Sequence, residues 1–331
     1  MKRKSALLFF LMLLAAICFG GCGKTGRTPS EPAERAGFVL PYPQFMRDQG
    51  MPEQVVLPKK PERVISLTNT PVLALYELGV KQVGIPDTKI LDWPEDLRSG
   101  AKLFQTGMRT SIDMEAVAAL KPDLVVLGLH AKDTYGKQLE REKIPVYYMA
   151  AGPTVSYEQV KAMTLCLADA FGKDSKAGED IRQRFAATEQ AMEKARAAYG
   201  GRKVMIIQGA PPRLYVQSEA GTVGSMFRLL GFQNVIDRSQ GTMFPLNQEE
   251  ALDYQPDLIV FVTAMGGAED MQKMMAEEMA VRSSYWNHFA AVREGRILYL
   301  PRWYAISGGI EEISQINGLI SELGKLKGAA Q

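Results

Sequence analysis

Short apolar runs separated by helix-length segments recur along the chain in the same order twice. Residues 63–67 (RVISL) have the length and composition of a buried strand, and a helical segment then leads to LYELGVKQVGI at 75–85. Residues 203–207 (KVMII) begin a second such series, which reaches FRLLGFQNVI at 227–236. Each series then arrives at a Glu, six residues and Pro-Asp-Leu, from Glu115 and again from Glu249. A helix starting near each Glu must stop before Pro122 or Pro256, and the continuous apolar run that follows predicts a strand buried on both faces. The chain is therefore an imperfect duplication. Its alternating strands and helices predict a parallel-sheet α/β lobe from each half. Between the halves, residues 174–198 hold strong helix formers without proline, and Gly200-Gly201 forms a stop. At ~1.5 Å per residue, about 25 residues make a rod of roughly 37 Å, enough to join two lobes while permitting only modest closure.

The N-terminal pattern is of another kind. Lys2, Arg3 and Lys4 precede ALLFFLMLLAAICFG, an apolar run of about 15 residues where a bilayer span needs roughly 20, so it reads as a removable export signal. The run ends in Phe19-Gly20-Gly21-Cys22, which resembles the signal in which small residues precede an acylated cysteine. The polar, Pro- and Gly-containing segment after Cys22 reads as a flexible tether. Gly23-Lys24-Thr25 is not the end of a phosphate loop, because the spacing requires glycine where Cys18 stands and no strand precedes it.

Charge and cysteine content narrow the function classes. The 331 residues carry 39 Lys and Arg against 37 Asp and Glu, so no basic field points to nucleic acid. Of three cysteines, Cys18 leaves with the signal and Cys22 carries lipid, which leaves Cys166 alone within the fold and no disulfide. Cys166 reads as a small buried hydrophobe on a helix face.

The cysteine boundary, the tether, RDQGMPEQVVLPKKPERVISL, the ELGV segment, DMEAVAALKPDLVV, the long helix and WNHFAAVREGRILYLP together resemble one family. It is the helical-backbone class of ABC-transporter substrate-binding lipoproteins for iron chelates and cobalamin. Within the class, GMRTSIDMEAVAALKP and VMIIQGAPPRLYV are most similar to haem- and siderophore-binding members. The resemblance implies two Rossmann-like parallel-sheet lobes joined by a long interdomain α-helix, with the ligand cleft between them. It divides the chain into a signal at 1–21, a lipid-anchored tether at 22–50, an N-terminal lobe at 51–172, a linking helix at 173–200 and a C-terminal lobe at 201–331. It implies export and lipid anchoring at the outer face of a bacterial cytoplasmic membrane, or in a periplasm. The implied partners are a permease dimer with its ATPase, no cofactor is implied, and the transported ligand is a ferric siderophore, haem or a corrinoid. By the resemblance, Glu115 and Glu249 dock on arginines of the permease dimer, one from each lobe. Favouring a helix start through the macrodipole is the alternative role for each.

Parallel α/β sheets bind ligands at the carboxyl ends of their strands. That places the candidates at Asn69, at Met108 and Arg109, at His130, at Arg213 and Tyr215, at Met265, and at Arg302, Trp303 and Tyr304. The last group sets a guanidinium beside two rings, suited to a planar or anionic ligand. Met108 and Met265 are candidate thioether ligands to haem iron. Where the haem-binding relative has its axial histidine this chain has Met265, and where it has its axial methionine this chain has Thr110, with Met108 two positions before. A bis-methionine site and a siderophore or corrinoid held without direct ligation both stay open. An enzyme on the same scaffold is disfavoured, since no Gly-rich phosphate loop follows a strand and no serine elbow occurs. A receptor for bare Zn or Mn is disfavoured by a count of only two histidines.

Overall fold

The fold begins earlier than the sequence predicts. A computed structural model describes residues 37–106, 111–152, 155–237, 241–263, 266–306 and 308–326. Strand β1 (Phe38–Pro41) pairs antiparallel with β2 (Gln54–Leu57), so part of the segment expected as tether, 37–50, is built into the structure. Aromatic packing explains why. Phe38 lies 4.9 Å from Phe171, Tyr42 stacks on Tyr147 at 4.4 Å, and the Tyr147 hydroxyl donates to the Pro41 carbonyl at 2.8 Å. The signal segment and Cys22 lie outside the described residues.

In the first half, β3 (Val64–Ser66), β4 (Gln82–Pro86), β5 (Lys102–Phe104), β6 (Leu124–Gly128) and β7 (Val146–Met149) form one parallel sheet in the order β5-β4-β3-β6-β7. Helices α2 (Val72–Glu77), α3 (Glu95–Gly100), α4 (Met114–Ala119) and α5 (Lys137–Arg141) lie between its strands, after a first turn α1 (Gln44–Arg47). In the second half, β8 (Lys203–Ala210), β9 (Arg213–Gln217), β10 (Gln233–Asn234), β11 (Met243–Pro245), β12 (Leu258–Thr263) and β13 (Ile297–Leu300) form the other sheet. Its parallel part runs β10-β8-β12-β13, the same connectivity as β4-β3-β6-β7. The duplication is thus one of topology. The copies differ because β8 continues through a tight turn into β9, which pairs antiparallel with β8 and carries β11 on its far side. The second sheet is consequently mixed rather than wholly parallel.

The Glu-x6-Pro-Asp-Leu units behave alike in both halves. Helix α4 is capped by Asp113, whose carboxylate accepts the Ala116 N–H at 2.9 Å. Helix α9 (Gln248–Ala251) is capped by Asn247, which accepts from Glu249 and Glu250. Side-chain acceptors at that position satisfy amides that a helix start leaves unpaired. The strands that follow, β6 and β12, are buried at every position, as the apolar runs predict.

Helices α6 (Tyr157–Gly172) and α7 (Lys176–Tyr199) connect the halves, and α7 is the rod predicted at 174–198. Its boundaries have local causes. The Ser175 hydroxyl accepts the Gly178 N–H at 3.1 Å, and Gly200-Gly201 closes the other end, Gly201 with φ of +83°. After β13 the chain returns to the first half. A turn at Gly309–Glu311 packs on α2 and α6, and α13 (Glu312–Lys325) packs along α7. The C-terminal boundary of the second lobe is therefore not the end of the chain. One hydrophobic core includes Val64 and Ile65 of the first sheet, Phe185 of α7, and Val204, Ile206 and Val260 of the second. The outer face of the second sheet has a separate core, with Met205, Ile207, Phe261 and Trp286 under α10 (Ala268–Val281), α11 (Ser283–Trp286) and α12 (Ala290–Arg293). Among the described residues, no helix is long and apolar enough to cross a membrane.

Candidate functional site

The carboxyl ends of β3 and β6 in one half, and of β8 and β12 in the other, position the expected ligand loops. After β3, Asn69 is half-buried and Thr70 is buried, because the C-terminal turn covers them: a Cβ on Gly309, which has φ of +75°, would stand 1.9 Å from the Thr70 carbonyl oxygen. After β6, a 3₁₀ turn Leu129–Ala131 leaves His130 exposed, and a single π turn Lys132–Gly136 follows. In the second half Arg213 is exposed at the start of β9 and Tyr215 is half-buried, paired across the hairpin with Gln208. Met108, Arg109, Thr110 and Met265 lie outside the described residues.

The cluster after β13 divides. Arg302 is exposed and Trp303 half-buried, but Tyr304 is 4% exposed and belongs to the core. Its ring lies 4.6 Å from that of Trp303, and its hydroxyl comes within 2.7 Å of where a Cβ on Gly318 would be. Burial pushes the phenol up to about 12, with Glu322 adding to the effect. Tyr304 is corrected from a cleft residue to a packing residue. The reason is the return of α13, which the sequence does not announce. Helix α13 also fixes this turn from below, since Gln315 donates its amide to the Trp303 carbonyl at 2.6 Å.

Glu115 and Glu249 occupy the same place in their copies, the second residue of α4 and of α9, and both are exposed. Neither carboxylate is engaged by the cap that starts its helix. Among the described residues neither carboxylate has a side-chain partner, which suits a surface anion, and near a helix start both also favour the local dipole.

Two side chains escaped the sequence reading. Gln217, buried on β9, accepts the Gly224 N–H through Oε1 at 2.7 Å and donates through Nε2 to Oε1 of Gln208 at 3.0 Å. A backbone N–H can only donate, so the orientation of both amides is fixed by the network. Gln208, Tyr215 and Gln217 share one face of the hairpin with Val204 and Ile206, the face whose core is continuous with the first half. The alternation in VMIIQ and LYVQ contains this signal. A strand buried on both faces conceals which residue ends it.

The seam between halves holds several polar contacts. Arg228 of α8 (Thr222–Leu229) donates to Glu158 of α6 at 2.8 Å, and Asn317 of α13 donates to Thr188 of α7 at 3.1 Å. Burial alone would raise the Glu158 carboxyl, yet the Arg228 hydrogen bond and charge hold it below its usual value. Arg184 of α7 pairs with Glu77 of α2. Nearby, Glu311 has both carboxyl oxygens buried without a hydrogen-bond partner among the described residues, and burial pushes it up to about 8, with Glu77 contributing. Among the described residues no group of His, Cys, Asp and Glu could hold a metal ion.

Known proteins resemble this chain in fold or in sequence. The haem complex of IsdE from Staphylococcus aureus superposes with a TM-score of 0.61 at 20% identity, covering 80% of this chain and 99% of that one. The petrobactin-binding protein YclQ of Bacillus subtilis is 23% identical over 323 residues, 95% of this chain and 96% of its own length. A vitamin B12-binding protein of Pectobacterium atrosepticum is 27% identical over 214 residues, 63% of this chain and 73% of its own. Residues 64–304 match the sequence profile described as periplasmic binding protein, and with that match over most of its length the chain belongs to the periplasmic binding protein family.

Proposed function

We propose that this protein is the substrate-binding lipoprotein of an ABC importer, capturing a ferric siderophore or haem and delivering it to a permease dimer driven by its ATPase. The observation that carries the reading is the pair of equivalent, exposed carboxylates, Glu115 and Glu249, one on each copy of the duplicated unit. A two-fold permease needs two matching contacts, and Glu-Arg pairs orient as well as bind. The relatives that bind petrobactin and haem support an iron chelate as cargo. Cys22 carries the lipid that keeps the protein at the outer face of the membrane, and residues up to the start of β1 form the tether. A corrinoid is the second reading, favoured by the vitamin B12-binding relative. The chain acts by binding and release, with no catalytic step.

Native mass spectrometry of protein purified from its own host tests the cargo, because a retained chelate is weighed directly. Absorption titrations with hemin, a ferric trihydroxamate, a ferric triscatecholate and cyanocobalamin then rank the classes. Saturable binding of one of the iron compounds is expected. Binding of cyanocobalamin alone makes the corrinoid reading the better one, and binding of none removes the proposal.

A further inference from the structure

We infer that Gln208 is a ligand-contacting and specificity-determining residue, a fixed amide donor for acceptor oxygens of an anionic chelate. The inference rests on the function proposed above and deepens it. Three hydrogen-bonding groups stand in series. The Gly224 N–H, in the first turn of α8, donates to Gln217 Oε1 at 2.7 Å, and Gln217 Nε2 donates to Gln208 Oε1 at 3.0 Å. Every acceptor inside the series is used, and its last member, the Gln208 Nε2, donates to no described residue. The series has one direction only. Its origin is a helix start, where partial positive charge accumulates, and hydrogen bonds in sequence polarise one another toward donation.

Placement makes the donor useful. Gln208 lies near the carboxyl end of β8, opposite Tyr215 in the hairpin register, and Arg213 opposite Ala210 follows at the turn. It is half-buried where Val204 and Ile206 below it are fully buried. A glutamine free to rotate would present oxygen or nitrogen equally, whereas here the Gln217 contact holds the oxygen and leaves the amino group to donate elsewhere. Carboxylate, hydroxamate and catecholate oxygens are all acceptors and suit such a donor. Gln217, which is buried, acts through Gln208 as a positioning residue.

Substitution of Gln208 separates this role from packing. Gln208→Glu keeps an oxygen for Gln217 Nε2 and replaces the remaining donor with an acceptor. Gln208→Leu removes both without adding charge. Parent and variants are titrated with hemin, a ferric trihydroxamate, a ferric triscatecholate and cyanocobalamin, and their thermal melting is recorded. With an iron chelate that the parent binds, Gln208→Leu is expected to lose roughly tenfold in affinity and Gln208→Glu roughly a hundredfold. The Gln208→Glu melting temperature is expected to stay at the parental value. Parental affinity in Gln208→Glu overturns the assignment while leaving the proposed function intact. A parent that binds cyanocobalamin alone overturns this inference, and one that binds none of the four compounds overturns the proposed function with it.

Discussion

Asp257 repeats in the second half the contact that Asp123 makes in the first: each aspartate of a Pro-Asp-Leu unit accepts amide hydrogens at the start of the neighbouring first strand. Asp123 takes the N–H groups of Glu62 and Arg63 at 2.8 Å each, and Asp257 takes that of Lys203 at 2.8 Å. The backbone reciprocates, since the Asp123 N–H donates to Arg63 and the Asp257 N–H to Lys203. Each unit thus locks the register of the strand pair at the centre of its sheet. Asp123→Ala should cost about 2 kcal/mol and Asp257→Ala, which loses one such bond, about 1 kcal/mol. Urea denaturation of the two variants measures both costs, and unchanged midpoints would remove the register-locking role.

The duplicated glutamates should act only in transport. Glu115→Arg or Glu249→Arg sets like charges against permease arginines, where juxtaposition costs several kcal/mol, so uptake should be lost. Affinity of the purified variants for the chelate should stay within about twofold of the parent, as for surface substitutions away from a binding site. Normal uptake by cells carrying both substitutions would leave the glutamates as helix-start residues.

Arg302 and Tyr304 are neighbours with opposite expected phenotypes. Arg302 is exposed, and Arg302→Ala should weaken chelate binding with little change in stability. Tyr304 is 4% exposed, and Tyr304→Ala should destabilise the fold by about 3 kcal/mol. Paired binding and denaturation curves distinguish the two. A Tyr304→Ala protein of parental stability would return that side chain to the list of ligand contacts.

Glu311 gives stability a pH dependence of definite sign. Its carboxyl is raised from 4.5 to about 8 in the fold by burial, so between those values the folded state holds a proton that the unfolded chain has released. Its contribution is fully present below pH 4.5 and is lost as pH rises through about 8, with a limiting slope of about 1.4 kcal/mol per pH unit. Glu311→Gln should flatten that part of the stability profile. An identical slope in parent and variant would exclude Glu311 as its source.

Membrane retention should depend on one sulfur. Cys22→Ser, which cannot be acylated, is expected to shift the protein from the membrane fraction to the soluble one. Continued membrane association would exclude lipidation at this position.

Much of this was legible in the sequence, for physical reasons that also explain the misses. The paired units and the long helix are strong local signals, and β6, β12 and α7 lie where proline, continuous apolar runs and Gly200-Gly201 put them. Long-range returns have no such local mark. The pairing of β1 with β2 depends on Phe38 meeting Phe171, and the burial of Tyr304 depends on Gly318 coming beneath it. Antiparallel β9 was hidden because LYV satisfies the apolar pattern of either strand direction. The relay through Gln217 was hidden for a similar reason, since a buried glutamine becomes intelligible only when its partners are known.

The core shared by the two sheets binds the repeated halves into one unit. Val64 and Ile65 from one copy and Val204, Ile206 and Val260 from the other exclude water together, and the last helix is borrowed back across the join. The two copies of this topology are in this way no longer separate folding units. A chain cut at Gly200 would yield fragments that each expose an oily face, soluble only in each other's company.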